Sequence, residues 1–176
     1  MRHYRLNAGF TAMELIVTVA VLGILLGIAV PSFQDSIDKR RLIGAAEQLY
    51  SDLQYARSEA VKQNKEVKVS FNTTAPWCYG LDDDTTTTCD CANAPGNCTI
   101  GGNQKVTASE GFGPNLSITP PGYGLTFRPV LTSLTSGHAS FIASGVGTIQ
   151  IITSGMGRIK LCSDDVSGYK PTSGTC

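Results

Sequence analysis

Few side chains here are of a type that does chemistry, and their spacing excludes most of it. There are two histidines, His3 and His138, and neither belongs to a nucleophile–base–acid arrangement. His138 therefore reads as a surface or turn histidine. The six cysteines, Cys78, Cys89, Cys91, Cys98, Cys162 and Cys176, include no C-x-x-C pair. With only His138 to add an imidazole beyond the N-terminus, no metal site and no cofactor are expected. Asp82-Asp83-Asp84 lacks the alternating spacing and closing acid of a calcium loop and reads as a solvated acidic turn. Gly101-Gly102 follows no strand–helix phosphate pattern and reads as a turn. Enzyme activity is not expected. Two features remain: a single carboxylate, Glu14, at the edge of an apolar run, and the cationic pair Arg158-x-Lys160.

The element that positions Glu14 is a long apolar helix. From Leu15 to Val30 only Thr18, Gly23 and Gly27 are not strongly apolar. Phe10 to Phe33 reaches roughly 36 Å at about 1.5 Å per helical residue, enough to cross a bilayer. Arg2 and Arg5 precede it and no acid comes before Glu14. That asymmetry keeps the N-terminus cytoplasmic and sends everything after Phe33 outward. A secretory signal would carry small residues after its apolar region, whereas Ala8-Gly9 precedes this one. A carboxylate beside an apolar helix costs several kcal/mol unless partnered, so Glu14 is a functional candidate, with interfacial snorkelling the bland alternative.

Beyond the apolar run the totals allow one small globular domain, with roughly 110 residues past the long helix. Formal charge is zero, and removal of Arg2 and Arg5 would leave −2, so any nucleic-acid binding must come from a local patch. An even cysteine count on the outward side reads as disulfides. Cys162 with Cys176 closes a C-terminal loop, worth about 3 kcal/mol on a chain-entropy account; the other four allow three pairings. The helical period continues past Pro31 through Leu42, Ala45, Ala46, Leu49, Leu53, Ala56 and Ala60. Lys39, Arg40, Glu47, Asp52, Arg57 and Lys62 lie on the remaining faces. Pro31 should loosen this helix without ending it, and Asn64 is a fitting left-handed terminator after Gln63. Val67–Phe71 alternates as a strand. Residues 72–104 read as a polar excursion held by disulfides rather than as core. Short strands follow near 116–119, 125–127, 139–143, 148–152 and 157–162. The fold class is α+β, a long N-terminal helix against an antiparallel sheet.

Gly9-Phe10-Thr11-Ala12-Met13-Glu14, followed by the apolar run and Pro31, resembles the leader junction of type IV pilins and type II secretion pseudopilins. Ala12-Met13 departs from the commoner Leu-Ile. The resemblance implies a leader of residues 1–9 cut after Gly9 by a prepilin peptidase, with methylation of the Phe10 amine. It also implies a transmembrane and filament-core segment over 10–33 and a periplasmic pilin domain over 34–176. Glu14 and Pro31 match assembly positions, and Glu14 would meet the Phe10 amine of a neighbouring subunit. The protein would reside in the bacterial inner membrane, engage an assembly platform there, and join other pilins or pseudopilins in a filament.

Leu53 to Asn64, Trp77-Cys78-Tyr79-Gly80, Cys89-Asp90-Cys91 and Gly157 to Cys162 resemble FimT-type and FimU-type minor pilins and the H subunit of type II secretion pseudopili. This implies a low-abundance subunit that helps start a filament at its tip. As a strand, 157–162 would place Arg158 and Lys160 on one face, about 6.6 Å apart. FimT-type DNA-uptake pilins carry Gly-Arg-x-Arg at the matching place. The resemblance thus implies double-stranded DNA as a partner through Arg158 and Lys160, with Lys170 as a third charge. Lys160 keeps the charge but lacks the guanidinium fork. An ordinary solvent-facing strand edge is the alternative. Three functions stay open: filament priming, DNA uptake, and protein secretion as an H-type pseudopilin.

Overall fold

The structure, a computed structural model, describes residues 10–84, 89–122, 124–129, 137–171 and 176. It divides into two compact units, Met1–Ser36 and Ile37–Cys176, and one helix, α1 (Ala12–Gln63), contributes to both. The helix starts where Thr11 caps it: its Oγ1 accepts the Glu14 N–H at 3.2 Å, one half of the Thr-x-x-Glu capping box. Helical assignment continues through position 31, so Pro31 does not end it. The stop is local: Asn64 takes φ 53° and Lys65 N–H bonds Ala60 C=O at 3.2 Å. That is a Schellman-type closure with asparagine at the left-handed position.

In the first unit the apolar side chains face outward, from Val17 at 51% exposed to Phe10 at 81%. In the second, Leu42, Ala45, Ala46, Leu49, Leu53, Ala56 and Ala60 are all at or below 1%. They share one core with residues of two four-stranded antiparallel sheets. The first sheet runs β5-β2-β1-β7, where β1 is Val67–Asn72, β2 Cys78–Asp82, β5 Val106–Ala108 and β7 Leu125–Phe127. The second runs β10-β9-β8-β6, with β6 Leu116–Thr119, β8 Gly137–Ala143, β9 Gly147–Thr153 and β10 Ile159–Cys162. A small hairpin joins β3 (Thr99–Ile100) to β4 (Asn103–Gln104). Its two-residue turn needs positive φ twice, which Gly101 (59°) and Gly102 (80°) supply.

Four expectations are corrected. Residues 72–104 are not a mere polar excursion: β2 is buried at every position and sits inside the first sheet. One of its faces meets the main core through Tyr79 and Leu81; the other is covered by the cluster of Cys78, Cys89, Cys91 and Cys98. A strand covered on both faces shows no polar alternation, and half-cystines supply apolar bulk that a reading by polarity discounts. Asp82 is therefore no solvated turn residue but lies in β2 at 2% exposed, its Oδ1 accepting Asp84 N–H at 2.9 Å. Asp52 is likewise buried, at 2%, rather than on a solvent face of α1. The last strand begins at Ile159, not Gly157. A turn precedes it, with Gly157 at φ 75° and Ser154 N–H bonding Arg158 C=O at 2.9 Å.

Candidate functional site

At the N-terminal end, Phe10 is exposed and Glu14 makes no ion pair among the described residues. Gly9 lies outside the described residues, as does the rest of 1–9. What the structure displays here is an apolar cylinder with one acid near its tip. Water solvates such a surface poorly, and the helix is long and apolar enough to cross a membrane.

Asp52 anchors the second unit's buried polar network. Its carboxylate accepts Lys105 Nζ at 2.8 Å, Tyr79 OH at 2.8 Å and Gln48 Nε2 at 3.2 Å. This ties α1 to β2 and to the segment entering β5. Burial first, and the Asp52 charge second, hold the Tyr79 phenol protonated far beyond its ordinary range. The missed signal was spacing: Asp52 falls three residues after Leu49 and four before Ala56, on the buried stripe. Burial also raises Asp82, with Asp84 and Asp83 adding repulsion. Tyr169, hydrogen-bonded to Glu47 of α1, is pushed up to about 12, mainly by burial.

The disulfides are Cys78–Cys91, Cys89–Cys98 and Cys162–Cys176. The first two overlap in sequence and fasten the segment after β2 onto its outer face. The third closes a loop at the end of β10, which Ser163 N–H shapes by bonding Tyr169 C=O at 3.0 Å.

Arg158 and Lys160 are both exposed, at the turn before β10 and on β10, the edge strand of the second sheet. Ile159 between them is buried at 6%. Lys170 is exposed one residue beyond Tyr169. None of the three has an ion pair among the described residues. The nearby acids are engaged by backbone: Asp164 accepts Cys176 N–H at 3.3 Å and Asp165 accepts Thr148 N–H at 3.2 Å. His138 stands exposed on β8. No group of three metal-ligating side chains occurs among the described residues.

Comparison with solved structures gives the same architecture. The chain is similar to the type IV minor pilin FimU of Pseudomonas aeruginosa, with 23% identity, 76% of this chain and 95% of that one covered, and a TM-score of 0.52. It is also similar to the minor pseudopilin EpsH of the type 2 secretion system of Vibrio cholerae, with 13% identity, 70% and 97% covered, and a TM-score of 0.53. A fimbrial protein of Pseudomonas aeruginosa is 37% identical over 59 residues, 34% of this chain, and the match spans 38% of that protein's length. Over most of the second unit, the family model described as "Type II transport protein GspH" matches residues 45–170, and the chain belongs to that family of pilin-fold proteins.

Proposed function

We propose that the protein is a minor pilin or pseudopilin, a non-enzymatic subunit that helps initiate a type IV pilus-like filament. The observation that carries this is the outward-facing apolar surface from Phe10 to Val30 and at Phe33, which demands lipid before assembly and neighbouring helices after it. In this reading residues 1–9 are removed between Gly9 and Phe10 by a prepilin peptidase, and the new amine is methylated. Residues 34–176 face the periplasm, and Pro31 marks where the filament-core segment gives way to the domain. Glu14 pairs with the Phe10 amine of an adjacent subunit, which relieves both charges in an apolar filament core. The experiment is purification of filaments from cells producing wild type or Glu14→Ala, with mass spectrometry of the mature N-terminus. Wild type should begin at a methylated Phe10 and co-purify with other pilin-like subunits, and Glu14→Ala should be depleted from filaments. A product beginning beyond Pro31 and free of any polymer would refute the reading.

Two more specific roles each have an observation behind them. The description of the matched family favours a type II secretion pseudopilin; deletion should then stop exoprotein release while leaving pili intact. The exposed Arg158 and Lys160, free of ion pairs among the described residues, favour weak binding of double-stranded DNA by their charge. Deletion should then lower transformation more than twitching motility.

A further inference from the structure

The second sheet has an outer face that the helix does not cover, and its register places a third nitrogen-bearing side chain in line with the cationic pair. Lys160 of β10 pairs with Ile152 of β9, and His138 of β8 pairs with the same Ile152. Side chains opposite one another across a sheet point to the same face, so Lys160 and His138 flank Ile152 on the outside. Two strand spacings separate them, roughly 10 Å. Arg158 lies two residues before Lys160, so the three residues form an L, with one arm near the edge strand and the other across the sheet. The same face is hollowed beside His138: a shallow depression of about 510 Å³ is lined by Gly137, His138, Gln150, Ile152, Thr153 and Cys176. Gln150 pairs with Ser140 on one side and with Cys162 on the other, which places its amide on this outer face as well.

We infer that the phosphate-binding surface extends from Arg158 and Lys160 across the outer face of the second sheet into the His138–Gln150 hollow. A duplex backbone would then cross the strands rather than follow the β10 edge. This rests on the nucleic-acid reading above and goes beyond it by naming a second phosphate contact and a direction. The occupant is argued from charge: Arg158, Lys160 and Lys170 carry no ion pair among the described residues, and these three cations outnumber the two adjoining carboxylates, Asp164 and Asp165, each of which accepts a backbone N–H. Successive phosphates of one DNA strand lie several ångströms apart, so Lys160 and His138, at roughly 10 Å, are spaced to meet two phosphates of one backbone. A histidine N–H and the two N–H groups of a glutamine amide donate to phosphate oxygens, and Ile152 between them leaves the sheet surface low enough for approach.

The test is fluorescence anisotropy of a short labelled DNA duplex with the full mature chain in detergent micelles, titrated with salt. Wild type should bind at low salt, and Arg158→Ala should lose most binding. His138→Ala and Gln150→Ala should each weaken it by ~3–10-fold, and His138→Lys should strengthen it and steepen the salt dependence by about one phosphate contact. Arg158→Ala losing binding while His138→Ala and His138→Lys behave as wild type would overturn the inference and leave the DNA reading standing. No wild-type binding at low salt would remove both. Equal competition by polyglutamate would make the face an acidic-peptide site and overturn the nucleic-acid occupant. Unchanged melting temperatures tie any effect to the surface, and the gain in His138→Lys does not depend on a damaged fold.

Discussion

Gly80 sits where any larger residue collides: an added Cβ would lie 2.5 Å from Cys89 Sγ and 2.7 Å from Cys98 Sγ. Gly80→Ala should cost about 2 kcal/mol by overpacking and leave titratable thiols; a variant that melts like wild type, fully oxidised, would show that the cluster simply yields. Asp52 works by charge and hydrogen bonding. Asp52→Ala strands Lys105 and takes the carboxylate acceptor from Tyr79 OH, leaving that hydroxyl with Thr107 alone, and should cost roughly 3 kcal/mol in urea denaturation. Asp52→Asn keeps the shape and should lose less. For pH, a raised folded value means the native state holds its proton more tightly, so that contribution is full below the unfolded value and fades as pH rises through the folded one. For Tyr79 and Tyr169 the unfolded value is about 10, so stability should fall as pH climbs above it, Tyr169 completing its share near 12. For Asp82 the fall begins from the ordinary carboxylate range, making the ionised group a cost at neutral pH. Asp82→Asn should therefore raise the melting temperature at pH 7, by a margin that shrinks on acidification.

Among elements, α1 carries the largest share of the core, and its boundaries follow from side chains at its ends. Leu49→Ala or Leu53→Ala, each emptying a site at 0% exposure, should cost ~2–5 kcal/mol on thermal or urea unfolding. Asn64→Val should cost ~1 kcal/mol because a branched residue resists the left-handed conformation, while Asn64→Gly should be near neutral. Equal stability of the two would mean that the turn is held by tertiary contacts instead. The strands placed between Gly and Pro punctuation, 116–119 and 125–127 among them, match the observed bounds, and each has one wetter face. β2 did not show itself, since its second face is roofed by cystine rather than water.

For the whole molecule, the disulfides decide whether the sheet margins hold. Cys162 and Cys176 are separated by 14 residues, so converting both to serine should cost about 3 kcal/mol and lower the melting temperature by roughly 10 °C. Loss of Cys78–Cys91 and Cys89–Cys98 should do more damage, because those bridges also form the second cover of β2. Calorimetry on the three sets of serine variants would rank them. An order with the C-terminal bridge costliest would mean that β2 is held by the core side alone.

The apolar rod, the buried stripe from Leu42 to Ala60, the left-handed stop at Asn64 and the α+β class were legible in the chain because each depends on local periodicity or on one residue's backbone preference. Spacing also placed Arg158 and Lys160 outward. The pairing of the four clustered cysteines, the burial of Asp52 and Asp82, the capture of β2 between core and cystines, and the alignment of His138 with Lys160 across Ile152 were decided by the tertiary structure. These depend on which distant segments meet, and a one-dimensional pattern of polarity carries no register between strands and no knowledge of what covers a second face.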